Sequence, residues 1–162
     1  VTIFEVDRAP VLALKQRLVT ELGLEPRCER RAVVADVTEP AFTQLLAEQG
    51  WRSERPTCWI SEGLLVYLEP AARDSLLGRL AALSGAGSRL GATATTAKRA
   101  AQVALFRSGI DGDPAQWLDH LGWHAGIDEL PETAAKFGRP LPAKAATSAS
   151  AILIDARRRA GE

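Results

Sequence analysis

Three acidic residues follow short apolar runs in the first half of the chain. Asp7 follows Val1–Val6, Asp36 follows Ala32–Ala35, and Glu62 follows Thr57–Ser61. If the runs are parallel strands, all three acids arrive at the carboxyl edge of one sheet. That is where open α/β sheets keep their ligand crevice. An ionised carboxylate there is a pure hydrogen-bond acceptor. An acid ending a second strand suits the two ribose hydroxyls of a nucleoside, and an acid after the next strand can accept from an adenine amino group. The competing reading is local. Asp and Glu are common at strand ends and helix starts, and Glu62 would then cap the short helix that follows it.

The elements that must position these acids alternate along the chain. Val1–Val6 is β-rich, and Pro10 fits the first turn of a helix striped by Val11, Leu12, Leu14, Leu18 and Leu22 and stopped by Gly23. Ala32–Ala35 reads as a short strand. Thr38 or Glu39 with Pro40 opens a helix carrying Phe42, Leu45 and Leu46 as far as Gly50. Thr57–Ser61 is a strand, Gly63 a tight turn, and Leu64–Leu68 a short apolar run. Pro70 then starts a helix with Leu76, Leu77, Leu80 and Leu83 at helical spacing, and Ser88–Thr95 is a fourth strand. Strands alternating with helices across short loops predict an α/β chain with a parallel sheet and helices on both faces. Beyond it we expect a helix over Ala97–Arg107, a turn over Ile110–Pro114, short helices over Ala115–Leu121 and Pro131–Phe137, and strands over Trp123–Gly126 and Ala149–Ala156. Arg157-Arg158-Arg159 reads as a solvated end. With no repeat or low-complexity linker, residues 1–162 read as one domain.

Other chemistries find little support. No GxGxxG follows a strand, which argues against a nicotinamide-dependent Rossmann enzyme, and Gly85 and Gly87 follow a helix and read as its end and a turn. His120 and His124 are separated by Gly122, with no third ligand in view, so no metal site is expected. Ser61 precedes Glu62 rather than sitting in a Gly-x-Ser-x-Gly elbow. Cys28 and Cys58 are expected to be buried or half-buried free thiols. The 162 residues carry no net charge, with 46% hydrophobic and 25% charged residues. That balance points to no nucleic-acid or membrane surface, and no apolar run approaches the ~20 residues of a membrane helix. The chain has no Met, and it opens on the strand VTIFEV rather than on a leader. We therefore expect the C-terminal part of a longer, cytoplasmic protein.

With FEVD (Phe4–Asp7), the strand ending ADV (Ala35–Val37) and SEGLLVYL (Ser61–Leu68) in view, the chain resembles the leucine carboxyl methyltransferase family of S-adenosyl-L-methionine-dependent methyltransferases. The resemblance is closest to a bacterial branch common in actinobacteria. It extends over most of the chain, including Phe137-Gly138-Arg139-Pro140-Leu141-Pro142 and the final strand. It implies a Rossmann-like class I methyltransferase sheet, parallel but for one strand, whose first and central strand lies upstream of Val1. The glycine-rich loop and much of the acceptor pocket would lie upstream too. It further implies that Asp7 holds the ribose, that Asp36 and Val37 flank the adenine, and that Glu62 lies beside the cofactor. The family pattern has Asp-Leu where Asp36-Val37 stands here, and alanine is common at the position of Ser61.

The expected function is O-methyl transfer from S-adenosyl-L-methionine to a carboxylate or hydroxyl of a small-molecule acceptor. The catalytic residues stay unassigned; Glu62 and Tyr67 are the nearest candidates for a chemical role. The alternative is a non-catalytic remnant acting only as an association module. A sheet lacking its central strand leaves neighbouring strands with unmet backbone groups, which opens the way to self-association.

Overall fold

The computed structural model describes residues 1–139, 141–142 and 151–158. Pro140, Ala149, Ser150 and Arg159, which belong to segments singled out above, lie outside the described residues. The backbone forms two compact units, Val1–Arg52 and Ser53–Glu162.

The first unit runs β1 (Thr2–Asp7), α1 (Ala9–Glu21), β2 (Glu29–Val34) and α2 (Phe42–Glu48). β1 and β2 pair in parallel, from Thr2 opposite Glu29 to Asp7 opposite Val34. α1 starts with a proline in its first turn, where a missing N–H leaves no bond unmade. It stops where sequence reading placed the stop. Gly23 takes a φ of 61°, its N–H donates to the Thr20 carbonyl at 3.1 Å, and the Leu24 N–H donates to Val19 at 3.0 Å. These are the two bonds that cap free helix carbonyls when glycine turns left-handed. Gly50 ends α2 the same way, with the Trp51 N–H on the Leu46 carbonyl at 3.0 Å. Val33, Phe42, Leu46 and Trp51 are buried. β2 begins at Glu29, ahead of the expected Ala32. The charges that hid its start are satisfied locally: the Arg30 guanidinium grips Glu5 at 2.8 and 3.1 Å, and Arg31 pairs with Glu29 at 2.6 Å.

The second unit runs β3 (Cys58–Ser61), a 3-10 turn (Leu65–Tyr67), α3 (Pro70–Leu83), β4 (Arg89–Thr95), α4 (Ala97–Ala100), α5 (Pro114–His120), β5 (Trp123–Glu129), α6 (Leu130–Lys136) and β6 (Ala151–Arg158). Its strands form one sheet in the order β3-β4-β6-β5. β3 and β4 are parallel, and β6 runs antiparallel to both of its neighbours. Leu77, Leu90, Leu118, Trp123 and Ala156 are fully buried. The Trp123 indole N–H reaches the Leu77 carbonyl at 2.9 Å, so this large aromatic enters the core with its polar atom satisfied.

Three expectations are corrected here. The helix expected over Ala97–Arg107 ends at Ala100: the Gln102 and Val103 N–H groups tighten onto the Arg99 and Ala100 carbonyls, at 3.0 and 3.1 Å, and further on the Arg107 and Ser108 N–H groups donate out of the segment to the Val66 carbonyl, at 2.7 and 3.2 Å. The strand expected over Trp123–Gly126 runs on to Glu129, paired with β6 throughout. Arg157 and Arg158 are not a tail but the last residues of β6; Arg157 is exposed as expected, while Arg158 is half-buried and its N–H donates to the Ser88 carbonyl at 2.9 Å.

Candidate functional site

Asp7 is the last residue of β1 and is half-buried. Its Oδ1 accepts the Arg8 N–H at 2.7 Å, and its carbonyl accepts the Ala35 N–H at 3.0 Å. The ladder thus continues past β2 and delivers Asp36 beyond its end. Asp36 Oδ1 accepts both the Thr38 N–H, at 2.9 Å, and the Thr38 hydroxyl, at 2.7 Å. Those two bonds lower the carboxyl below its ordinary pKa, more than burial raises it, and Arg8 adds a smaller pull in the same direction. Asp36 is therefore ionised at neutral pH. Val37, half-buried, follows it. Sequence reading placed these two acids at the carboxyl ends of neighbouring parallel strands, and there the structure sets them.

Each carboxylate is held through one oxygen by its own local backbone, and no described residue engages the other. That acceptor chemistry fits a nucleoside: hydroxyls and an amino group are donors in search of acceptors, and a fixed carboxylate with a free oxygen supplies one. The glycine-rich cradle of a dinucleotide is absent from the described strand ends. Gly85 and Gly87 form the turn before β4, with the Ser88 N–H on the Gly85 carbonyl at 3.2 Å.

Glu62 belongs to the second unit. It is exposed, one residue past β3, and makes no hydrogen bond or ion pair among the described residues. The helix-cap alternative fails, since the 3-10 turn after it has no side-chain cap. Gly63 takes a φ of 66°, and its N–H donates to the Thr93 hydroxyl at 2.8 Å, which ties the Glu62 turn to β4. Ser61, just before it, is buried, and its hydroxyl has no hydrogen-bond partner among the described residues.

Sequence reading missed the segment that packs on the 3-10 turn after Glu62. Residues 101–110 fold back over it: the Ser108 hydroxyl donates to the Leu65 carbonyl at 3.0 Å, and Phe106 meets Tyr67 edge to face, with ring centroids 5.6 Å apart. The one signal in the sequence is Ser108-Gly109, a poor pair for a helix. His120 and His124 are both exposed, and no cluster of metal-ligating side chains occurs among the described residues. Both cysteines are free thiols; Cys28 is half-buried as expected, but Cys58 is exposed, on the face of β3 that also carries exposed Ile60.

The leucine carboxyl methyltransferase profile matches residues 1–81 of this chain. The chain belongs to the leucine carboxyl methyltransferase family. A proposed S-adenosyl-L-methionine-dependent methyltransferase of Frankia alni is 40% identical over 149 residues, covering 86% of this chain and 52% of that protein. The chain thus spans about half the length of the relatives it matches. Among solved structures, a DUF574 family protein from Streptomyces avermitilis superposes with a TM-score of 0.67 at 18% identity, covering 98% of this chain and 65% of that one. The O-methyltransferase NcsB1 from neocarzinostatin biosynthesis, solved with S-adenosylmethionine and 2-hydroxy-5-methyl naphthoic acid, superposes with a TM-score of 0.58 at 12% identity, covering 96% and 41%. The fold is that of this Rossmann-like methyltransferase group, as the family resemblance implied.

Proposed function

We propose that the chain is part of a cytoplasmic S-adenosyl-L-methionine-dependent O-methyltransferase that methylates a carboxylate or hydroxyl of a small-molecule acceptor. Both units would then belong to one methyltransferase domain. The observation that carries this reading is the pair Asp7 and Asp36, fixed at the ends of adjacent parallel strands in a chain of this family. Asp7 would accept from the ribose hydroxyls. Asp36 and Val37 would flank the adenine, and Glu62 would face the cofactor from its own turn. When bound, the cofactor supplies a methyl group made electrophilic by its sulfonium. The chain's own residues bind and orient. A carboxylate acceptor is already ionised at neutral pH, so the protein need supply no strong base. The rate would come from holding the reactants aligned at about 3 Å with water excluded.

Calorimetric titration with S-adenosylhomocysteine tests this. Asp7→Ala should weaken binding by about 1–3 kcal/mol, the loss of one hydrogen bond to a charged group. An unchanged dissociation constant sinks the ribose assignment. No binding at all by the folded wild-type chain means that these residues do not make a cofactor site by themselves.

A second reading is favoured by a separate observation. Among the described residues, β1 pairs only with β2, and β3 pairs only with β4, so each has an open edge. On this reading the chain is an association module that accepts a strand from a partner or from a second copy. Its oligomeric state in solution tests it.

A further inference from the structure

Arg73 lies on α3 and is only 7% exposed. A buried cation is costly unless its donors are used, and here they are. Its Nη1 donates to the Gly109 carbonyl at 2.9 Å, and its Nε pairs with Asp74 at 2.8 Å. Its guanidinium carbon stands 4.6 Å over the Trp117 ring. The Trp117 indole N–H in turn donates to the same Asp74 oxygen at 3.0 Å. A planar guanidinium stacked on an indole and held by a carboxylate has one orientation available.

Gly109 is fixed from the opposite side as well. A Cβ there would collide with the Thr96 carbonyl oxygen. The Ile110 N–H donates to Thr95 at 2.8 Å, and the Ala97 N–H to Ile110 at 2.9 Å. The base of the strap 101–110 is thus clamped between α3 and the end of β4. Its crest is what touches the 3-10 turn that follows Glu62: the Arg107 and Ser108 N–H groups on the Val66 carbonyl, the Ser108 hydroxyl on Leu65, and Phe106 against Tyr67. Leu105 on the crest is 72% exposed, and Tyr67 is 52% exposed. Turn and strap both stand beyond the carboxyl ends of parallel strands, the edge where such sheets bind ligands.

We propose that Arg73 is a positioning residue: through the Gly109 carbonyl it sets the strap, and through the strap it sets the turn that carries Glu62 and Tyr67. The role in cofactor binding rests on the methyltransferase reading, whereas the coupling from Arg73 to Tyr67 does not. Arg73 makes no hydrogen bond or ring contact with Tyr67; its backbone N–H does bond the Glu69 carbonyl at 2.9 Å, close to Tyr67 in sequence, so the strap's share of a response at Tyr67 is read from amide exchange at Ser108.

The chain has a single tyrosine, so labelling the tyrosine ring carbon with carbon-13 gives one resonance, that of Tyr67. Arg73→Gln should move or split it and speed amide exchange at Ser108 about tenfold, and Arg73→Lys, which keeps the charge but not the planar fork, should restore both only in part. A folded Arg73→Gln protein with an unmoved Tyr67 resonance overturns the proposal. If Arg73→Gln does not fold, Trp117→Phe carries the same test, because it keeps a ring under the guanidinium but frees Asp74. S-adenosylhomocysteine titration of the same proteins reads the functional half. Arg73→Gln should bind about tenfold more weakly, again with partial rescue by lysine. Affinity unchanged while the Tyr67 resonance has moved overturns the positioning role. A wild-type chain that binds no S-adenosylhomocysteine fails the methyltransferase reading instead, and the Tyr67 resonance still decides the coupling.

Discussion

Glu5 sits in β1 two residues before Asp7 and accepts from Arg30 and, at 2.7 Å, from Lys15 of α1. The Arg30 bonds are the main reason its carboxyl lies below its ordinary pKa, with Lys15 helping and partial burial opposing. A carboxyl whose pKa falls on folding stabilises the fold above its unfolded value, and that contribution is lost as pH drops through the lower folded value. Glu5→Gln should therefore be less stable than wild type at pH 7 and equal to it near pH ~2, where both side chains are neutral. Urea unfolding at the two pH values checks this; an equal deficit at both would mean the loss is not ionic. Ser61 makes the opposite point. Its buried hydroxyl has no partner among the described residues, so Ser61→Ala should leave stability unchanged or raise it by about 1 kcal/mol. A clear fall in melting temperature would show that the hydroxyl is satisfied in solution. The types and spacing of Asp7, Asp36 and Glu62 were legible in the sequence. The Thr38 bonds that fix Asp36 and the Thr93 bond behind Gly63 were not, because each depends on how a turn closes.

At the scale of elements, two helices with similar apolar stripes have different surroundings. On α3, Leu76, Leu77 and Leu80 are buried. On α1, Val11, Leu14 and Leu18 remain 43%, 48% and 44% exposed. Leu77→Ala should cost about 2–5 kcal/mol, since it removes a fully enclosed side chain and leaves a cavity. Leu14→Ala should cost under about 1 kcal/mol. Chemical denaturation of the two variants under one set of conditions checks the contrast, and similar losses would mean that α1 is covered in solution. Helical periodicity shows that a stripe exists; it cannot show what lies against it. The same limit explains the overlong helix expected after β4. Propensity favoured continuing past Ala100, but the Arg107 N–H goes to the Val66 carbonyl and the Ser108 hydroxyl to the Leu65 carbonyl, some forty residues away in sequence.

At the scale of the whole molecule, the strands fall into two ladders, and each ladder leaves a parallel strand, β1 or β3, paired on one side only among the described residues. Open edges with unmet backbone groups invite pairing with another chain. With no net charge, long-range repulsion does little to oppose such pairing. Light scattering of the purified chain should therefore show dimers or larger species that grow with concentration. A well-folded monomer at all concentrations counts against the association reading and leaves the methyltransferase reading standing. No described helix is long and apolar enough to cross a membrane.

The sequence by itself determined the alternation of strands and helices, the stops at Gly23 and Gly50, the family, and the acids at strand ends. Each of these is written in local signals: hydrophobic period, left-handed glycine and short motifs. Only the tertiary structure decided where β2 begins, that β6 runs antiparallel between β4 and β5, and that residues 101–110 form a strap rather than a helix. It also decided that a buried arginine reaches that strap. Those outcomes depend on which distant donors and acceptors meet, and a backbone N–H carries no mark in the sequence of the carbonyl it will find.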